Sequence, residues 1–87
     1  MYRLKFTPPA ETDLATLDKS IARLIYKRLR WLADNFEAIS PIPLKGELKE
    51  FSKFRVGDYR ALYTFDSSQK VVVIHFVRHR RDVYKEK

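Results

Sequence analysis

Apolar and polar residues alternate through Tyr2-Arg3-Leu4-Lys5-Phe6, with Tyr2, Leu4 and Phe6 on one side and Arg3 and Lys5 on the other. This is the period of a half-buried strand. Thr7-Pro8-Pro9 then supplies a hydroxyl able to cap free N–H groups and prolines preset for a first helical turn. Ala10, Leu14 and Leu17 give this short first helix its core stripe. Leu17-Asp18-Lys19-Ser20 interrupts it and places Asp18 to cap a second helix. From Ile21 the apolar positions Leu24, Ile25, Leu29, Leu32 and Phe36 recur at helical spacing, while Arg23, Lys27 and Arg30 face away and Arg28 and Trp31 border the stripe. Ser40-Pro41-Ile42-Pro43 bars helical geometry, so the second helix ends between Asn35 and Ile39.

A loop carrying Pro43-Leu44-Lys45-Gly46-Glu47-Leu48-Lys49-Glu50 follows. Beyond it the period returns to two. Phe51–Val56 and Tyr59–Phe65 read as strands around Gly57-Asp58, and Lys70–Val77 as a strongly β-branched strand. The tail from His79 to Lys87 suits a short helical turn. The order is β-α-α-β-β-β, which predicts an α+β fold with an antiparallel sheet, a meander of its last three strands, and both helices packed on one face. The other face is left open. With 87 residues and no repeat, low-complexity tract or linker, the chain reads as one domain spanning 1–87.

Charge changes this picture most at the hairpin. A two-residue turn at Gly57-Asp58 pairs Val56 with Tyr59, Arg55 with Arg60, Phe54 with Ala61 and Lys53 with Leu62. Directly opposed residues share a face, so Phe54, Val56, Tyr59 and Ala61 form an apolar side and Lys53, Arg55 and Arg60 converge on the other. Like charges opposed across a strand pair cost roughly 0.2–1 kcal/mol. Folding alone therefore has no use for them unless the arginines splay into solvent or pair with Glu47, Glu50 or Asp82. The last strand delivers Arg78, His79, Arg80, Arg81 and Tyr84 near the same surface. A cationic bowl with an aromatic wall suits RNA, with arginines on phosphates and a tyrosine stacked on an unpaired base.

The whole chain is basic, with 18 Lys and Arg against 11 Asp and Glu and a formal net charge of +7. That excess fits a polyanion or an acidic protein partner. Cysteine is absent, which excludes disulfides and Cys-based zinc sites and fits a reducing cytoplasm. Met1–Phe6 lacks the apolar core of a signal peptide, and no apolar run approaches the length of a membrane span. Two histidines and scattered acids offer no dense ligand set, so neither metal nor other cofactor is expected.

The strand order, together with "PLKGELKEF", "FRVGDYRALY" and "HRRDVY", resembles the RelE/ParE superfamily of toxin–antitoxin toxins over nearly the whole chain. The resemblance implies a ribosome-dependent messenger RNA endonuclease. Such an enzyme cleaves within the A-site codon by attack of a ribose 2′-hydroxyl on the adjacent phosphate, without a metal. By matching motif positions, Lys53 is implied as the catalytic lysine, Arg60 as the arginine that holds the phosphate, and Tyr84 as the residue orienting the RNA. The arginine assisting the leaving oxygen is Arg80 or Arg78, with Arg80 favoured. Arg55 is implied as a supporting contact. The meander itself places Arg78, Arg81 and His79 to bind RNA, and Lys45 and Lys49, in and after the loop, are either contacts to the ribosomal RNA backbone or a solvated charged loop.

Some relatives carry a further lysine where this chain has Phe51, which leaves the general base open. His79 or His75 could serve, although hydrogen bonding at the sheet surface is the plainer role for His75. The resemblance also implies a RelB-like antitoxin, acidic and partly disordered when free, as partner. Two other functions compete: a ParE-like inhibitor of DNA gyrase, which has no need to converge cations, and a passive nucleic-acid-binding domain.

Overall fold

A computed structural model describes residues 1–83. Its elements are β1 (Arg3–Phe6), α1 (Pro8–Ala15), α2 (Lys19–Asp34), β2 (Ile42–Pro43), β3 (Ser52–Val56), β4 (Tyr59–Asp66) and β5 (Val71–His79). The strands form one sheet in the order β1-β5-β4-β3-β2. The meander β3-β4-β5 is antiparallel as expected, but β1 runs parallel to β5, so the sheet is mixed. A parallel pair needs a long crossover connection, and everything between β1 and β5 provides it.

Local chemistry sets the helix starts. Thr7 Oγ1 accepts the Ala10 N–H at 3.3 Å and donates to the His75 carbonyl at 3.2 Å, so the same hydroxyl caps α1 and ties it to β5. Asp18 caps α2 by accepting the Ser20 N–H at 3.3 Å. Ile25, Leu29, Leu32 and Ala33 are buried from α2, and Phe36 follows in a 3₁₀ turn over Phe36–Ala38. Leu24, expected in this stripe, is instead 54% exposed. It lies on the flanking line of the helix with Arg28 and Trp31, one position off the buried arc. Arg28 covers the Trp31 and Phe54 rings at 5.0 and 5.7 Å, which places the indole at the core edge as expected.

The main core lies between the helices and one sheet face, with Tyr2, Phe36, Tyr63, Val72 and Ile74 at its centre. The face expected to be open is partly covered by the chain itself. Leu44, Leu62 and Val83 form a second buried cluster there, flanked by Leu48, Phe51 and Phe76. Within the expected loop, Ile42–Pro43 forms a two-residue edge strand against Ser52 and Lys53. Proline is compatible with a strand only at such an edge, and two residues show no period. The expected helical tail begins as a turn over Arg80–Asp82 that leads into the buried Val83, and from Tyr84 onward it falls outside the described residues.

A candidate phosphate-binding face

The hairpin turn forms because Gly57 adopts the left-handed conformation, φ +57°, that a two-residue β turn requires. The register follows: Val56 faces Tyr59, Arg55 faces Arg60, Phe54 faces Ala61 and Lys53 faces Leu62. Val56, Ala61, Phe54 and Tyr59 join the main core, which turns Arg55 and Arg60 to the opposite face. β5 extends this row, because Arg78 pairs with Arg60. Three arginines therefore stand abreast across β3, β4 and β5. Lys53, partly buried, lies in the adjacent row with Leu62 and Phe76.

Each arginine is held differently. Arg60 Nη1 donates to the Gly57 and Tyr59 carbonyls at 3.0 Å each, curling its guanidinium over the hairpin tip. Arg78 Nε donates to Asp13 Oδ2 at 3.2 Å, and its guanidinium carbon lies 4.9 Å from the Phe76 ring centroid. Arg55 is exposed. Among the described residues, no ion pair joins Arg55 or Arg60 to Glu47, Glu50 or Asp82. The repulsion within the row is thus not relieved by those acids.

The remaining candidates divide. Arg80 lies beyond the row at the turn, its N–H donating to the Asp58 carbonyl at 2.7 Å and its Nε 3.8 Å from Asp58 Oδ1. Arg81 is exposed beside it, with its N–H donating to His79 Nδ1 at 3.2 Å. That bond makes Nδ1 the acceptor and leaves Nε2 to carry the proton in the neutral ring. His79 pairs with Tyr59 and packs edge-on against its ring at 5.3 Å, so strand alternation places it on the helix side, away from the arginines. Lys45 and Lys49 are exposed at the ends of the 3₁₀ turn Gly46–Leu48, whose flanking Leu44 and Leu48 anchor the loop on the second cluster.

His75 does share the arginine side. Leu62 pairs with Phe76 and Tyr63 with Ile74, so His75 is an extra residue in β5, a β-bulge that turns both His75 and Phe76 toward Phe51. Its Nε2 lies 2.8 Å from Thr64 Oγ1, and burial lowers its pKa. Phe51, where the resemblance raised the question of a missing lysine, packs edge-on against the His75 and Phe76 rings at 5.2 and 6.0 Å. Sequence reasoning passed over Asp13, whose one visible signal was an acid between Ala10 and Leu14, at the border of the α1 core stripe.

Comparison with known proteins identifies the family and the fold. Residues 4–84 match the family described as the ParE toxin of the type II toxin–antitoxin system parDE. Toxin RelG of Mycobacterium tuberculosis is 33% identical over 88 residues, covering 97% of each chain. A chain of the M. tuberculosis RelBE2 toxin–antitoxin complex superposes with a TM-score of 0.80 at 32% identity, over 91% of this chain and 98% of that one. The isolated Escherichia coli RelE toxin shares the fold, with a TM-score of 0.73 at 22% identity over 98% and 93% of the two chains. The chain belongs to the ParE toxin family of type II toxin–antitoxin systems, within the RelE/ParE superfamily.

Proposed function

We propose that this toxin is a messenger RNA endonuclease acting on the ribosome, and that the Arg55–Arg60–Arg78 row receives the scissile phosphate. The single observation that carries the reading is that row: three arginines aligned by register. In it the directly opposed Arg55 and Arg60 have no ion pair among the described residues and repel at a cost of roughly 0.2–1 kcal/mol, relieved when an anion binds. A gyrase inhibitor built on the same fold leaves the row without a use.

In the proposed reaction the 2′-hydroxyl gives up its proton to water as its oxygen bonds to phosphorus, the P–O5′ bond breaks, and the departing O5′ takes a proton from water, so a cyclic phosphate and a 5′-hydroxyl result. Charge accumulates on the non-bridging oxygens as the pentacoordinate state forms. Arg60, central in the row, and Lys53 in the next row stabilise it, with Arg55 in support. Arg78 rather than Arg80 is assigned to the leaving oxygen, because Arg78 stands opposite Arg60 in the sheet while Arg80 lies beyond the row at the turn. With Phe51 in the lysine position, acceleration comes chiefly from neutralising charge and positioning the phosphate. Tyr84 is retained as the residue that stacks on the RNA. Arg81, Lys45 and Lys49 supply exposed charge for the RNA backbone, and His79 is placed less well for that task.

The RelBE2 neighbour is a toxin–antitoxin complex. By analogy, we assign this chain a RelB-like acidic antitoxin, which would compensate its net charge of +7. Among the described residues no helix is long and apolar enough to cross a membrane, and a ribosomal substrate places the action in the cytoplasm.

Primer extension on a defined messenger in a purified translation system, with and without ribosomes, tests the activity. Breaks inside the A-site codon that need ribosomes and vanish in Arg60→Ala are expected. An intact messenger at toxin excess refutes the nuclease, and inhibition of gyrase supercoiling becomes the next assay.

A further inference from the structure

β1 ends at Phe6, and the outer edge of β5 continues beyond it. α1 runs along that edge and is fastened to it at successive points. The Thr7 N–H donates to the Ile74 carbonyl at 3.0 Å, Thr7 Oγ1 donates to the His75 carbonyl at 3.2 Å, and the Val77 N–H donates to Asp13 Oδ2 at 2.9 Å. The same Oδ2 accepts Arg78 Nε at 3.2 Å. One carboxylate oxygen thus replaces the missing strand at Val77 and also holds the side chain of the next residue.

This pair differs from the other ion pairs among the described residues. Its side chains are 23% and 20% exposed, against 62% and 68% for Arg80–Asp58 and 58% and 62% for Lys70–Glu37. Solvent screens it least, and the carboxylate cannot swing aside without leaving a strand-edge N–H unpaired. Asp13 meets Arg78 at Nε, the nitrogen nearest the stem. Phe76 flanks the same group at 4.9 Å. An acid beside a phosphate-binding arginine weakens attraction for RNA, so binding strength alone does not account for it. Orientation does.

We propose that Asp13 is a positioning residue, which holds the Arg78 guanidinium in register with Arg60 and aims it at the phosphate. The proposal rests on the nuclease reading above. It predicts a split between binding and turnover: Asp13→Asn, which keeps an acceptor for the Val77 N–H but loses the charge, leaves KM unchanged or lower. The kcat falls by about 10- to 100-fold as Arg78 loses its alignment.

The test combines a spectrum with kinetics. In 15N-labelled toxin the Arg78 Nε–Hε resonance should shift and exchange faster with water in Asp13→Asn and Asp13→Ala. In single-turnover cleavage on programmed ribosomes, Asp13→Asn/Arg78→Ala should be no slower than Arg78→Ala alone. An unmoved Nε–Hε resonance overturns the clamp whatever the enzyme does. A double variant whose losses multiply, or a loss confined to KM, overturns the positioning role. If the wild type itself does not cleave, the nuclease reading has failed, and the positioning role falls with it even where the resonance shifts.

Discussion

Replacing Arg55 by glutamine removes one charge from the end of the arginine row and leaves the hairpin contacts in place, since Arg55 is exposed and Arg60 hydrogen bonds to the Gly57 and Tyr59 carbonyls. The two guanidinium groups project from directly opposed positions of neighbouring strands. At a separation of roughly 6 Å in a watery dielectric, two like charges repel by about 0.7 kcal/mol. That value falls inside the range of ~0.2–1 kcal/mol for like charges opposed across a strand pair. With a Debye length of ~30 Å at 0.01 M salt and ~3 Å at 1 M, about 0.6 kcal/mol survives at low salt and about 0.1 kcal/mol at high salt. For a domain of this size the low-salt value corresponds to about 2–5 °C in Tm. Arg55→Gln should therefore melt above the wild type in 10 mM chloride without phosphate, and the gap should close in 1 M chloride. Adding phosphate should narrow it as well, because an anion on the row stabilises the wild type more. A variant that melts at or below the wild type at low salt, or a gap indifferent to salt, would refute the idea that the row stores repulsion.

Gly57 sits at φ +57° with open space for 4 Å around the point where a Cβ would stand, so Gly57→Ala should cost only the backbone penalty, about 1–2 kcal/mol in urea denaturation. Phe36 is 5% exposed, with the Tyr2 and Phe65 rings 4.8 and 4.9 Å away. Phe36→Ala should lose about 3–5 kcal/mol from a total of roughly 4–13 kcal/mol, read as a lowered urea midpoint. Burial pushes the Tyr63 hydroxyl up to about 12 against an ordinary 10.0, partly offset by its hydrogen bond with Ser52. A raised acid keeps its proton in the folded state. Its contribution to stability is therefore full below pH 10 and is lost as pH rises toward 12, and phenolate absorbance should show one late-titrating tyrosine that Tyr63→Phe removes.

The hairpin was legible because a two-residue turn fixes register, and register alone decides which side chains share a face. Gly57-Asp58 announced the turn, so the convergence of Lys53, Arg55 and Arg60 followed from counting. The helix caps at Thr7 and Asp18 were legible for a similar reason: capping is local chemistry. What escaped depended on contacts distant in sequence. The parallel pairing of β1 is set by where the helices return the chain, and β2 is too short to carry a period. The bulge at His75 shifts the phase of β5 relative to β4, so alternation counted along β5 cannot by itself tell which face each residue reaches. Arg78 rather than Arg80 joined the row, and His79 turned away from it, because β5 stays paired as far as Tyr59 and the chain turns only afterwards. Asp13 gave little sign of itself because its partners lie 64 and 65 residues away.

In the proposed function the arginine row stabilises a phosphate as it becomes pentacoordinate. Single-turnover cleavage of a messenger on programmed ribosomes, comparing wild type with an Arg60→Ala variant of unchanged Tm, tests it most directly. Loss of a donor aimed at the developing charge predicts a fall of about 100- to 1,000-fold in the cleavage rate, with binding to the ribosome little altered. An Arg60→Ala toxin that cleaves at the wild-type rate would mean that the row does not bear the developing charge.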